Sequence, residues 1–94
     1  METRNTVPTL NEASLTLWRR PQCQAETGYP RSTFYARIAE GLWPRPIHIG
    51  LRSVAWPARE ARAVLEARIA GAYEDAIRTL VARLEADRQK AGGR

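Results

Sequence analysis

Two helix breakers placed two residues apart, Gly28 and Pro30, constrain this chain more than any other feature. Upstream, Arg20-Pro21-Gln22 sets a proline at a favoured first helical position, and nothing interrupts the segment until Thr27-Gly28. A short first helix is predicted there, with Gly28 as its stop. Downstream, Pro30-Arg31-Ser32-Thr33 opens a second helix, predicted over about Ser32 to Glu40, with Ser32 placed to cap it and Gly41 ending it. On that helix Phe34 and Ile38 share one face and Tyr35 and Ala39 flank it, while Arg31, Thr33, Ala36 and Arg37 point elsewhere. A short helix, a glycine turn and a second helix with basic residues at its start form the layout of a helix-turn-helix that reads DNA.

The text changes character after Leu42-Trp43. Pro44-Arg45-Pro46 excludes helix and favours an extended edge. Ile47-His48-Ile49 and Val54-Ala55-Trp56 alternate around Gly50-Leu51-Arg52-Ser53, which predicts a small hairpin, the wing. Pro57 is suited to open a third helix. Its Ala61, Val64, Leu65 and Ile69 recur at helical spacing, and Arg59, Glu60, Arg62 and Glu66 are assigned to the wet face. Beyond Gly71, the residues Tyr73, Ile77, Leu80 and Leu84, with Val81 alongside, form an amphipathic stripe on a further helix running to about Lys90.

The expected fold class is therefore mainly α: a winged helix-turn-helix over residues 17–70 and an extra C-terminal amphipathic helix over 71–90. Residues 1–16 read as a flexible arm and 91–94 as a disordered tail. Ninety-four residues suffice for one small domain with appendages.

Fifteen basic side chains stand against ten acidic ones, a net charge of +5, and only Lys90 among the basic ones is not arginine. Such a balance favours phosphate-bearing partners. The arginine preference suits bidentate contact with guanine or phosphate, and genomic base composition accounts for it equally well. One cysteine, Cys23, cannot form an intrachain disulfide, and with the lone His48 it cannot supply paired zinc ligands, so neither a metal nor another cofactor is expected. Cys23 is read as a small apolar filler. No apolar run approaches a membrane span and no export signal leads the chain, so a cytoplasmic, nucleoid-associated location is expected. No grouping of nucleophile, base and orienting residue, and no phosphate loop, points to an enzyme.

Several of these residues together carry a family resemblance. Arg20-Pro21, Thr27-Gly28, Arg31-Ser32-Thr33-Phe34-Tyr35, Ile38-Ala39-Glu40-Gly41, Trp43-Pro44, Pro46-Ile47, Ile49-Gly50 and Val54-Ala55-Trp56 resemble the AlpA family of phage regulators, relatives of excisionases. The resemblance spans roughly Leu17 to Ile69. Gln24 and Glu26 depart from it, standing where such families carry apolar residues. It implies a MerR-like winged helix that binds DNA to regulate prophage or integrative-element genes, or that directs an integrase towards excision.

In such a fold the second helix enters the major groove with its N-terminal half leading, which makes Arg31, Ser32, Thr33, Tyr35, Ala36 and Arg37 the candidate DNA contacts, Arg31 and Arg37 foremost. Ser32 and Thr33 serve equally as caps. Arg52 at the wing tip is a candidate for a narrow minor groove, Arg45 for phosphate, and Ser53 is a further candidate DNA contact. His48 faces either DNA or water. Trp43, Trp56, Phe34, Ile38 and Val64 are expected in the core.

A lone helix cannot bury the stripe Tyr73, Ile77, Leu80, Val81 and Leu84, so it either folds back on the domain or meets a second copy of the chain, and a partner helix is slightly favoured. The expected function is a DNA-bending excisionase, or recombination directionality factor, acting beside an attachment site with an integrase. A transcriptional regulator of the same fold is the near alternative. A protein-interaction module working through the C-terminal helix is the alternative from another class.

Overall fold

The computed structural model describes residues 16–91, so nearly all of the expected arm, and the tail beyond Ala91, lie outside the described residues. In chain order the elements are β1 (Leu17–Trp18), α1 (Arg20–Thr27), α2 (Arg31–Ala39), β2 (Ile47–His48), β3 (Val54–Pro57), α3 (Ala58–Ile69), α4 (Glu74–Ala86) and α5 (Arg88–Ala91). This is a winged helix-turn-helix followed by a C-terminal helix. The three strands form one antiparallel sheet in the order β1-β3-β2.

The α1–α2 turn is built by the breakers and stitched by polar side chains. Gly28 adopts φ 79°, a left-handed conformation that costs a side-chain-bearing residue about 1–2 kcal/mol, and its N–H closes on Gln24 O at 2.7 Å. Gln24 also accepts from Arg20 Nη1 at 2.6 Å and donates to Tyr29 O at 3.2 Å, while Thr27 Oγ1 accepts the Tyr29 N–H at 3.1 Å. The polar Gln24 thus holds the turn. The second helix starts one residue earlier than its sequence suggests. Its cap position is Pro30, and no side chain caps it, so Ser32 does not play that part. At its other end Gly41, at φ 78°, bonds to Ile38 O and Leu42 to Arg37 O, a closure of Schellman type.

Strand β1 carries no signal in the sequence, because two residues show no periodicity. It pairs Leu17 with Pro57 and Trp18 with Trp56, and Ala58 N–H donates to Thr16 O just beyond. Proline 57 therefore ends a strand, and α3 starts after it.

The core gathers the first four helices around aromatic rings. Phe34 from α2 lies edge-on to Trp56 from β3, with centroids 5.2 Å apart, and tilted against Trp43 at 6.0 Å. Each such ring is worth roughly 4–6 kcal/mol of gross burial before ordering costs. Trp56 Nε1 donates to Pro44 O at 2.8 Å, which fixes the two-proline segment against β3. Cys23 and Val64 are buried with them, and Ile38 packs at the edge.

Helix α4 folds back onto this core. Ile77 and Val81 are buried in it, and Leu80 and Leu84 pack against it. The expectation of a partner helix is corrected for these four residues: α3 and the aromatic cluster already cover them, so the stripe needs no second chain. Tyr73 stays 86% exposed, and Ile69 is 84% exposed and not the core residue its spacing suggested. Glu60 is corrected as well. It is only 2% exposed, not on a wet face, because Arg88 reaches over it with bonds of 2.9 and 2.7 Å.

Candidate nucleic-acid interface

The recognition surface follows from which face of α2 the core consumes. Phe34 is locked among tryptophans, so Arg31, Ser32, Tyr35 and Ala36 are turned to solvent. Thr33 is half-buried. The first-turn N–H groups of α2 receive no side-chain cap, and they lie at the positive end of the helix dipole, an arrangement suited to a phosphate. The Arg31 guanidinium lies 5.9 Å from the centre of the Tyr35 ring, which orients it along the exposed face without neutralising it.

Arg37 is placed differently. Its Nη1 bonds Glu40 Oε1 at 2.5 Å and its guanidinium lies over the Tyr29 ring at 5.9 Å. The bond to Glu40, and then the charge of that carboxylate, raise its pKa further above the usual arginine value. It is half-buried and ion-paired, so of the two leading arginines Arg31 is the one free to approach a base.

Arg45 is also engaged. Its backbone N–H donates to Glu85 Oε2 at 2.7 Å and its Nη2 to Glu85 Oε1 at 3.1 Å, although the side chain is 74% exposed. An exposed pair of this kind contributes about 0–1 kcal/mol and opens readily for a phosphate. Sequence pattern does not indicate Glu85 as a partner, since forty residues separate the two. The Arg37–Glu40 pair was visible in principle as an i, i+3 spacing.

The wing is the hairpin β2–β3, in register Ile47 with Ala55 and His48 with Val54. Arg52 is exposed at its tip, Ser53 half-buried and His48 exposed. Its base is tied to the helix-turn-helix by Arg19 Nε, which donates to Val54 O at 3.0 Å, a contribution that Arg19 did not signal in the sequence. Leu51 is 96% exposed at the tip. Over residues 16–69 nine arginines face four glutamates, and of those four, Glu60 is buried and Glu40 is already paired. The net field of this segment favours a polyanion.

Among the described residues no helix is long and apolar enough to cross a membrane, and no group of three or more His, Cys, Asp or Glu is placed to hold a metal ion. A family model described as "Prophage CP4-57 regulatory protein (AlpA)" matches residues 16–69, more than half of the chain. Neither a curated protein nor a solved structure matches the chain. The matched span begins at the residue before β1 and ends with the last residue of α3, taking in the turn, the reading helix and the wing; the chain belongs to the AlpA family of small DNA-binding prophage regulators.

Proposed function

We propose that this protein is a sequence-specific excision factor, a recombination directionality factor that binds and bends duplex DNA beside an attachment site and promotes integrase-mediated excision of a prophage or integrative element. The observation that carries the DNA-reading part is the division of α2: Phe34 is buried while Arg31, Ser32, Tyr35 and Ala36 are exposed around an uncapped helix start. Arg31 is suited to bidentate contact with guanine, Ser32 and Thr33 to phosphate or base edges, and Tyr35 to an adjacent phosphate. Arg37 acts from its pair with Glu40, Arg45 and Ser53 act on the backbone, and Arg52 reaches a minor groove.

The excision role rests on size. One short helix and one small wing read few base pairs, so useful occupancy requires several copies side by side, and several bound wings spread the cost of bending over many contacts. A row of copies on DNA has no need of a paired helix, and the exposed Ile69 and Tyr73 offer a small apolar contact for neighbours. A second reading, transcriptional control of the element's own genes, is favoured by the regulatory description of the matching family. The covered stripe of α4 weighs against a protein-interaction module as the main role.

The test is footprinting at physiological salt on DNA that covers both the protein's own promoter and the nearest attachment site, with Arg31→Ala as control. Phased protection beside the attachment core, lost in Arg31→Ala, supports excision. Protection confined to the promoter replaces that reading with transcriptional control, and absence of any Arg31-dependent protection rejects DNA reading altogether.

A further inference from the structure

The wing tip has an arrangement that a solvated turn does not require. The Ile49 N–H donates to Ser53 O at 2.9 Å, directly beyond the His48–Val54 pair, and this closes the loop to Gly50, Leu51 and Arg52. Leu51 is the middle residue of the three. It is 96% exposed and gains nothing from the fold, at a position where Asn, Asp, Ser or Gly are the usual choices. Ile49, at the foot of the loop, is exposed as well. The hairpin that carries them is held at its base by the Arg19 bond to Val54 O and the Trp56 bond to Pro44 O, so the apex is mounted on a fixed support.

The surroundings name the partner. No carboxylate occurs from Gly41 through Arg59, a stretch that contains Arg45, Arg52 and Arg59. Glu85 of α4 pairs with Arg45, but no carboxylate of the hairpin itself offsets Arg52, and an apolar tip beside an arginine matches a duplex, whose phosphates attract the guanidinium and whose stacked bases accept a hydrocarbon. A protein partner fits poorly, because one leucine supplies a small part of the area that a stable interface buries. A hairpin tip also suits the narrow minor groove, which excludes a helix.

We propose that Leu51 is a wedge that enters the minor groove between two base pairs, partly unstacks them and kinks the duplex, with Arg52 held beside it in the groove. The proposal rests on the DNA-binding reading and deepens it: a single side chain sets the bend. Pyrimidine–purine steps, which unstack most easily, are the preferred place of entry, so Leu51 confers a sequence preference without any hydrogen bond to a base.

The experiment uses the full chain on a duplex recovered from a random pool by selection with the same protein. Fluorophores at the two ends report the bend, and 2-aminopurine at the step under the wing reports unstacking. The expected result is that Leu51→Ser binds with the same Arg31-dependent footprint, lowers the bend by roughly 20° or more and abolishes the 2-aminopurine signal. It also loses the preference for a TA over an AA step at that place. An unchanged bend and an unchanged 2-aminopurine signal in Leu51→Ser overturn the wedge while leaving DNA binding intact. Failure of the wild-type chain to show Arg31-dependent binding to any recovered duplex overturns the wedge and the DNA-binding reading together.

Discussion

Arg88 encloses the buried carboxylate of Glu60 from twenty-eight residues away, with Nε on one oxygen and Nη2 on the other, and Nη2 continues to Arg45 O at 2.7 Å. This fork ties α5 to α3 and to the segment between the reading helix and the wing. The bond to Glu60 outweighs partial burial and raises the Arg88 pKa above its usual value. Removing one partner strands the other. Arg88→Met is expected to cost about 3 kcal/mol by urea unfolding, because Glu60 is left buried and unpaired, and adding Glu60→Leu should restore most of that loss. A cost below that of Arg45→Met, which breaks only an exposed pair, would mean that water reaches Glu60 freely.

Helix α4 lies outside the family match yet completes the core. Ile77→Ala is expected to destabilise by about 2–5 kcal/mol, a large part of the stability of a domain this small. A fragment ending at Ala70 should show no cooperative thermal transition, since the surface under Ile77 and Val81 would be exposed. A sharp melt from that fragment would show that residues 16–69 fold by themselves.

On the proposed function, Glu40 competes with DNA for Arg37. Glu40→Gln removes a negative charge beside the reading helix and releases the guanidinium, so duplex affinity should rise roughly two- to fivefold at moderate salt. Arg31→Ala should lose about 1–3 kcal/mol of binding if its contact is a base edge. Fluorescence anisotropy titrations decide both. Weaker binding in Glu40→Gln would show that the carboxylate aims Arg37 instead of restraining it.

Cys23 is fully buried, and burial pushes its thiol up to about 12 from 9.0. The folded chain therefore keeps its proton in alkali after the unfolded chain has released its own. Stability from this residue is intact below pH 9 and is lost between pH 9 and 12, by about 1.4 kcal/mol per pH unit. Urea unfolding at pH 8 and pH 10 should differ by about that amount in the wild-type chain, and Cys23→Ala should remove this part of the difference. Native Cys23 should also resist thiol reagents at neutral pH.

Local chemistry was legible in the sequence where the backbone itself forces the outcome. Gly28 and Gly41 end the two short helices because glycine takes a left-handed turn at no steric cost, Pro30 fixes its own φ and sets the start of the second, and the alternation around Gly50 marks the wing. Phe34, Trp43, Trp56 and Val64 were legible as core from spacing and size. What stayed hidden depends on elements meeting in space. Leu17–Trp18 is too short to show a period, and it becomes a strand only because β3 offers an open edge. Glu60 reads as a surface residue until Arg88 is placed over it, and Arg45 reads as free until Glu85 arrives from α4. Ile69 misled in the opposite direction: its spacing matches the apolar face of α3, but the chain turns at Gly71 before anything covers it. The candidate DNA contacts of α2 followed from helical geometry, whereas the pairing of Arg37 and the exposure of Leu51 needed coordinates.

The three indoles, Trp18, Trp43 and Trp56, are all enclosed, and Trp43 and Trp56 pack on Phe34, the buried side of α2. Ultraviolet emission from this chain therefore reports on the interior alone. Unfolding shifts it strongly to the red as water reaches the rings, while a duplex settling on the outer surface leaves it nearly unchanged. Loss of binding in any surface variant can thus be separated from loss of structure in one cuvette, without a label.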